Sequence, residues 1–172
     1  MDIRIEQADG GALRRHANGV AALVRDAVES GASIGFVLPL GDDVLQAYAE
    51  QIAAEVDDGS RVVVLALDGD AVVGMVHLGL VKWPNGRHRA DLQKLIVHTS
   101  ARRRGIGLAL MWAVERVALE HGRTLLVLDT AGGGAEELYR ASGWVEIGAV
   151  PRYAGLPDGT LVATTIFAKE LE

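Results

Sequence analysis

The sequence predicts a single α/β domain, residues 1–172, built on a mixed, mostly antiparallel twisted sheet with helices on both faces. Three observations lead there. Helical periodicity in the first third gives way to period-two apolar runs, among them Val62–Leu67. Hairpin signals at Asp68-Gly69-Asp70 and Pro84-Asn85-Gly86 join three such runs into an antiparallel meander. After the meander, strands alternate with helical segments, which demands crossover connections.

The elements follow in order. Ile3-Arg4-Ile5 reads as a first short strand. From Ala12 to Ser30 the apolar positions Leu13, Ala17, Val20, Val24 and Ala27 recur at helical spacing, and Gly31 ends the run. A second helix starts near the cap residues Asp42 and Asp43 and carries Leu45, Tyr48, Ile52 and Val56 on one stripe. The meander strands are Val62–Leu67, Ala71–Val81 and His88–His98. A long helix then holds Ile106, Leu110, Ala113, Val114 and Val117 inward, with Gly122 suited to its carboxyl-terminal cap. Thr124–Leu128 is a strand, Ala135–Ser142 a short helix stopped by Gly143, and Trp144–Val150 and Leu161–Ala168 close the chain as strands.

Composition narrows the function. The chain has 172 residues, 49% hydrophobic content and 4 prolines, enough for one well-buried core and unlike a disordered segment. No apolar run is long enough to span a bilayer, and the first residues lack the pattern of a secretory signal, so a cytoplasmic protein without a membrane partner is expected. A net charge of −6 argues against nucleic acid as a partner. The chain has no cysteine, and its 5 histidines show no i, i+4 metal spacing, so no metal is expected.

Against this acidic background one segment stands out. Leu95-Ile96-Val97 runs through His98–Ala101 into Arg102-Arg103-Arg104-Gly105-Ile106-Gly107, which opens a helix. Glycines let backbone N–H groups approach a ligand closely, and a helix start adds unpaired donors and positive partial charge. With arginines alongside, this makes a socket for phosphate oxygens. It is not a P-loop, because no Lys-Ser/Thr follows the glycines. It is not a dinucleotide-binding turn either, because an antiparallel meander precedes it.

The element order, the Arg102-x-x-Gly105-x-Gly107 turn and the later Leu138-Tyr139-x-x-x-Gly143-Trp144 resemble the GNAT superfamily of acyl-CoA-dependent N-acyltransferases over nearly the whole chain. Gly31–Phe36, Pro84–Gly86, Arg89–Leu95 and Leu128-Asp129-Thr130 look closest to the tabtoxin-resistance branch, which acetylates a β-lactam amino acid. Two departures from that branch, a shortened Gly132-Gly133-Gly134 and a different Lys82-Trp83, fall where they would reshape an acceptor pocket.

The resemblance implies a sheet with splayed central strands, acetyl-CoA as co-substrate, a small amine as acceptor, and a homodimer as an open expectation. It implies that Leu95, Ile96 and Val97 offer backbone groups to pantetheine, and that Arg102, Arg103, Arg104, Gly105, Ile106 and Gly107 cradle the pyrophosphate. Asp91 and Asp129 match carboxylates assigned to base chemistry, and Tyr139 matches a phenol near the CoA sulfur. Phe36, Trp83 and Arg89 are the expected acceptor contacts, Trp83 and Arg89 also fitting a packed turn and a surface charge. Protein amines as acceptors and a non-catalytic acyl-CoA-binding module remain as alternatives.

Overall fold

The computed structural model describes residues 3–131 and 134–172. Gly132 and Gly133 of the glycine run named above lie outside the described residues. Seven strands form one sheet: β1 (Ile3–Ala8), β2 (Arg61–Asp68), β3 (Ala71–Leu80), β4 (Arg89–Val97), β5 (Leu125–Thr130), β6 (Val145–Gly155) and β7 (Leu161–Glu170). Their spatial order is β1-β2-β3-β4-β5-β7-β6. Only β4 and β5 run parallel; every other neighbouring pair is antiparallel.

Alternation along the strands separates two cores. Val63, Leu65, Leu67 and Met75 face α1 (Gly10–Arg15), α2 (Ala17–Glu29) and α3 (Asp42–Asp57). Val62, Val64, Val76, Leu78, Ala90, Leu92 and Leu126 face α4 (Ile106–Glu120). The short α5 (Glu136–Ala141) adds Tyr139 to the second core. No described helix is long and apolar enough to cross a membrane.

Three elements differ from the sequence expectation. The helix expected over Ala12–Ser30 is two helices, broken at His16, whose φ/ψ of −95°/11° leaves the helical region. The break lets α1 lean on α3, where a Cβ on Gly10 would strike the Asp57 carboxylate, while α2 lies along β3. β1 and β6 are longer than their apolar patterns, because each is an edge strand formed by ladder pairing and not by burial. β6 carries Pro151 and two register shifts, features that an edge strand accommodates.

The third irregularity shapes the site. Met75 pairs Ile96 while His77 pairs Gln93, so β4 carries one extra residue against β3. That bulge centres on Lys94, which adopts a left-handed φ of 54°. Before it, odd-numbered residues of β4 face α3; after it, Ile96 does.

Candidate active site

β4 and β5 pair over only three positions, Arg89–Leu125, Ala90–Leu126 and Asp91–Val127. Beyond them the strands part, β5 keeping to β7 through Thr130 and β4 keeping to β3 through Val97. Asp91 shares a face with its partner Val127, and Asp129, two residues on, shares it again. The two carboxylates therefore flank the mouth of the parting on the α3 side. Asp91 is half-buried and Asp129 exposed.

The parting leaves the outer edge of β4 unpaired. His98 N–H donates to Val73 O at 2.9 Å, so alternation turns the amide groups of Ile96 toward β3 and those of Leu95 and Val97 toward the open edge. Val97 O accepts from Arg102 Nε at 3.1 Å. What remains on that edge is a short run of backbone donors and acceptors with no partner among the described residues, the arrangement that an extended amide-bearing ligand completes.

The next segment is held in place from α2. Asp26 accepts from Thr99 N–H at 2.8 Å and from Thr99 Oγ1 at 2.6 Å. Burial alone would raise its pKa, but the two Thr99 bonds, with His98 and Arg102 nearby, hold it below the ordinary carboxylate range. Arg102 spans from Val97 O to Ser30 Oγ, the latter at 3.0 Å, so its side chain ties the turn to α2. Arg103 and Arg104 lie on the exposed surface, Arg103 with a φ of 60°. Gly105 follows at φ 77°, a conformation that glycine adopts without strain.

α4 starts at Ile106 with no side-chain cap on its first turn. Its leading N–H groups, with no side-chain cap among the described residues, lie at the positive end of a 15-residue helix. The Ile106 side chain is core, so only its backbone is available to a ligand. A Cβ on Gly107 would sit 3.5 Å from Leu138 Cδ2 and 3.9 Å from Val97 Cγ2, in ordinary contact with one residue of α5 and one of β4. Uncapped amides at a helix start, beside two residues that carry no side chain, leave the backbone of Gly105 and Gly107 approachable by an anion.

A profile of the Acetyltransferase (GNAT) family matches residues 21–144. The chain belongs to the GNAT acetyltransferase family. Solved structures agree on the fold. A ribosomal-protein-alanine N-acetyltransferase from Brucella melitensis superposes with a TM-score of 0.79 at 24% identity, covering 98% of this chain and 99% of that one. An N-acetyltransferase from Staphylococcus aureus Mu50 gives a TM-score of 0.81 at 18% identity, covering 100% of both chains. A Salmonella typhimurium protein solved with its cofactor acetyl-CoA gives 0.79 at 17% identity, covering 100% of this chain and 95% of that one.

In this GNAT domain Tyr139, on α5, is buried in the α4-side core, its ring packed 6.0 Å from Trp144 and 5.6 Å from Phe167 between centroids. Its hydroxyl has no hydrogen bond among the described residues. Burial first, then the Asp129 charge, push its pKa up to about 12, so it stays protonated and available as a donor.

On the α3 side an open cleft of about 590 Å³ adjoins the gap, walled by Phe36, Val44 and Tyr48 and floored by Arg61, Gln93 and Lys94. Of the expected acceptor contacts, Phe36 lines it, edge-on to Tyr48 at 5.1 Å. Trp83, 77% exposed, sits in the β3–β4 connection, and Arg89 begins β4 at the closed end with its Nε buried and without a partner among the described residues; neither lines the cleft. Arg61 donates to Gln93 Oε1 at 2.9 Å, pairs with Glu55, and meets His77 Nδ1 at 3.3 Å. Sequence reasoning assigns no role to Arg61, His77 or Lys94. One signal was present for Lys94: plain alternation would put it beside Leu92 in the apolar core, which a lysine does not tolerate. Among the described residues no group of three or more His, Asp or Glu is placed to hold a metal.

Proposed function

We propose that the protein transfers the acetyl group of acetyl-CoA directly to the primary amine of a small amino-acid-like molecule. The observation carrying this is the parting of β4 from β5 immediately after Asp91, with Asp129 on the same face across the gap. The resemblance to the tabtoxin-resistance branch supports an amino-acid-like acceptor, and the cleft volume of about 590 Å³ suits a small molecule.

Acetyl-CoA supplies an activated thioester, and each task that remains has a candidate residue. The uncapped amides of α4 hold the diphosphate with the exposed cations of Arg103 and Arg104 beside them, while Arg102 braces the turn; the open edge of β4 at Leu95 and Val97 aligns the arm and offers an N–H to the thioester oxygen. Asp129, exposed and beside the gap, attracts the substrate ammonium and passes its proton through water to solvent, with Asp91 assisting. The freed amine forms the new C–N bond as the C–S bond breaks, and the second proton of that nitrogen leaves by the same carboxylate and water to solvent. Tyr139 donates its proton to the departing sulfur and recovers one from solvent.

The test is a thiol-release assay with acetyl-CoA against free amino acids, β-lactam amino acids, aminoglycosides and a short peptide, with products weighed by mass spectrometry. A gain of about 42 Da, the mass of an acetyl group replacing a proton, on a small amine is expected. Acetylation of the peptide alone, or binding of acetyl-CoA without transfer to any amine, overturns the reading.

A further inference from the structure

We propose that Lys94 anchors a carboxylate on the acceptor, so that the enzyme selects amines that are also acids. The inference rests on the acyltransfer reading for its direction, since that reading places the acceptor amine at Asp129.

Four observations converge on Lys94. The bulge in β4 turns this residue out of the apolar phase it would otherwise occupy and into the cleft floor. The residue holds a left-handed φ of 54° that lysine does not favour, a strain of the kind retained where a side chain must be aimed. Gly35 faces the ammonium across the cleft: a Cβ there would lie 3.3 Å from Lys94 Nζ, so glycine leaves the room. Lys94 itself makes no salt bridge or hydrogen bond among the described residues, although it is half-buried.

The charges around it sharpen the argument. Arg61, the other cation of the floor, is neutralised by Glu55 and further bonded to Gln93 and His77. His77 is fully buried; burial, then Arg61 and Lys94, keep it neutral. Asp43 at the rim is exposed and Asp129 lies toward the gap. Burial first and Arg61 second weaken the protonated form of Lys94, with Asp129 acting the other way. A carboxylate arriving from solvent would restore what the ammonium lacks, as a charge-assisted bond in a partly dry site. Phe36, Val44 and Tyr48 present an apolar wall for the carbon body between the two ends. The occupant so described has an anion at Lys94 and an ammonium at Asp129: a free amino acid.

The experiment measures equilibrium binding, by thermal shift and calorimetry, of the L-amino acids and of the same amino acids as primary amides. The proteins are the wild type, Lys94→Met, and Lys94→Asn, whose side chain tolerates the left-handed backbone. The expected result is that binders are acids, that each acid binds about tenfold or more tightly than its amide, and that both variants erase the difference. Amides binding as well as acids, no acid binding at all, or either folded variant keeping the preference overturns the proposal. Acids that bind through Lys94 yet are never acetylated would leave this inference standing and defeat the acyltransfer reading instead.

Discussion

Asp129 stands two residues beyond Val127, the register partner of Asp91, so the two carboxylates project from one sheet face across strands that have just parted. That relationship converts two ordinary aspartates into neighbours of one gap. If Asp129 is the base, Asp129→Asn lowers kcat by about 10²–10⁴ while acetyl-CoA affinity stays within about twofold. Steady-state kinetics beside calorimetry decide it, and comparable losses in both would assign Asp129 a structural role. Asp91→Asn is expected to cost less than Asp129→Asn, because Asp91 is the more enclosed of the two.

Tyr139 offers a cleaner separation of chemistry from stability. Its ring packs on Trp144 and Phe167, whereas its hydroxyl bonds to nothing described. Tyr139→Phe should therefore leave the melting temperature nearly unchanged and slow turnover by about a hundredfold, near the lower bound for acid catalysis. A phenol pushed to about 12 is a weak acid, which is why a larger effect is not expected. Wild-type turnover in the Phe variant removes Tyr139 from the mechanism.

The glycines of the turn separate in the same way. Gly105 sits at φ 77° with nothing within 4 Å of where a Cβ would stand, so Gly105→Ala costs only backbone strain, about 1 kcal/mol of stability. Gly107 has ordinary room for a Cβ between Val97 and Leu138, and the two further methyls of Gly107→Val would crowd the approach to the α4 amides proposed to hold the diphosphate. Urea unfolding should register the first change and acetyl-CoA calorimetry the second, the latter as an affinity loss of about tenfold or more. Unaltered affinity in Gly107→Val would contradict the proposed seat of the diphosphate.

His77 governs an acid limit. Arg61 only donates, so His77 Nδ1 accepts and the ring proton sits on Nε2, buried and unpartnered among the described residues. The folded state resists a second proton, and the unfolded state takes one below about pH 6.5. Stability therefore falls as pH drops below that value, because the unfolded chain then binds more protons. Between about pH 7.5 and 5.5 the wild type should lose about 1 kcal/mol more than His77→Gln in urea unfolding. Parallel pH profiles for the two proteins would show that His77 takes up its proton as readily folded as unfolded.

Much of this was legible in the chain. The meander and the long helix after the glycine turn follow from period and turn chemistry, both local properties, whereas Asp91 and Asp129 were singled out only through the family resemblance. The cleft floor was not legible. Arg61 reads as a strand's polar end, and its contacts with Glu55, His77 and Gln93 join α3, β2, β3 and β4. Lys94 reads as one more polar residue in a β-strand until the register against β3 shows the extra residue.

The sequence by itself determined the order of elements, the open-ended glycine turn and which residue types were on offer for acyl transfer, because periodicity and backbone permissiveness act over a few residues. Only the tertiary structure decided where β4 leaves β5, that Arg102 is engaged by Val97 and Ser30, and that Lys94 faces the cleft while Trp83 does not. Those outcomes depend on strand register and on contacts between segments far apart in the chain, and no local pattern encodes a register against a strand it has not yet met.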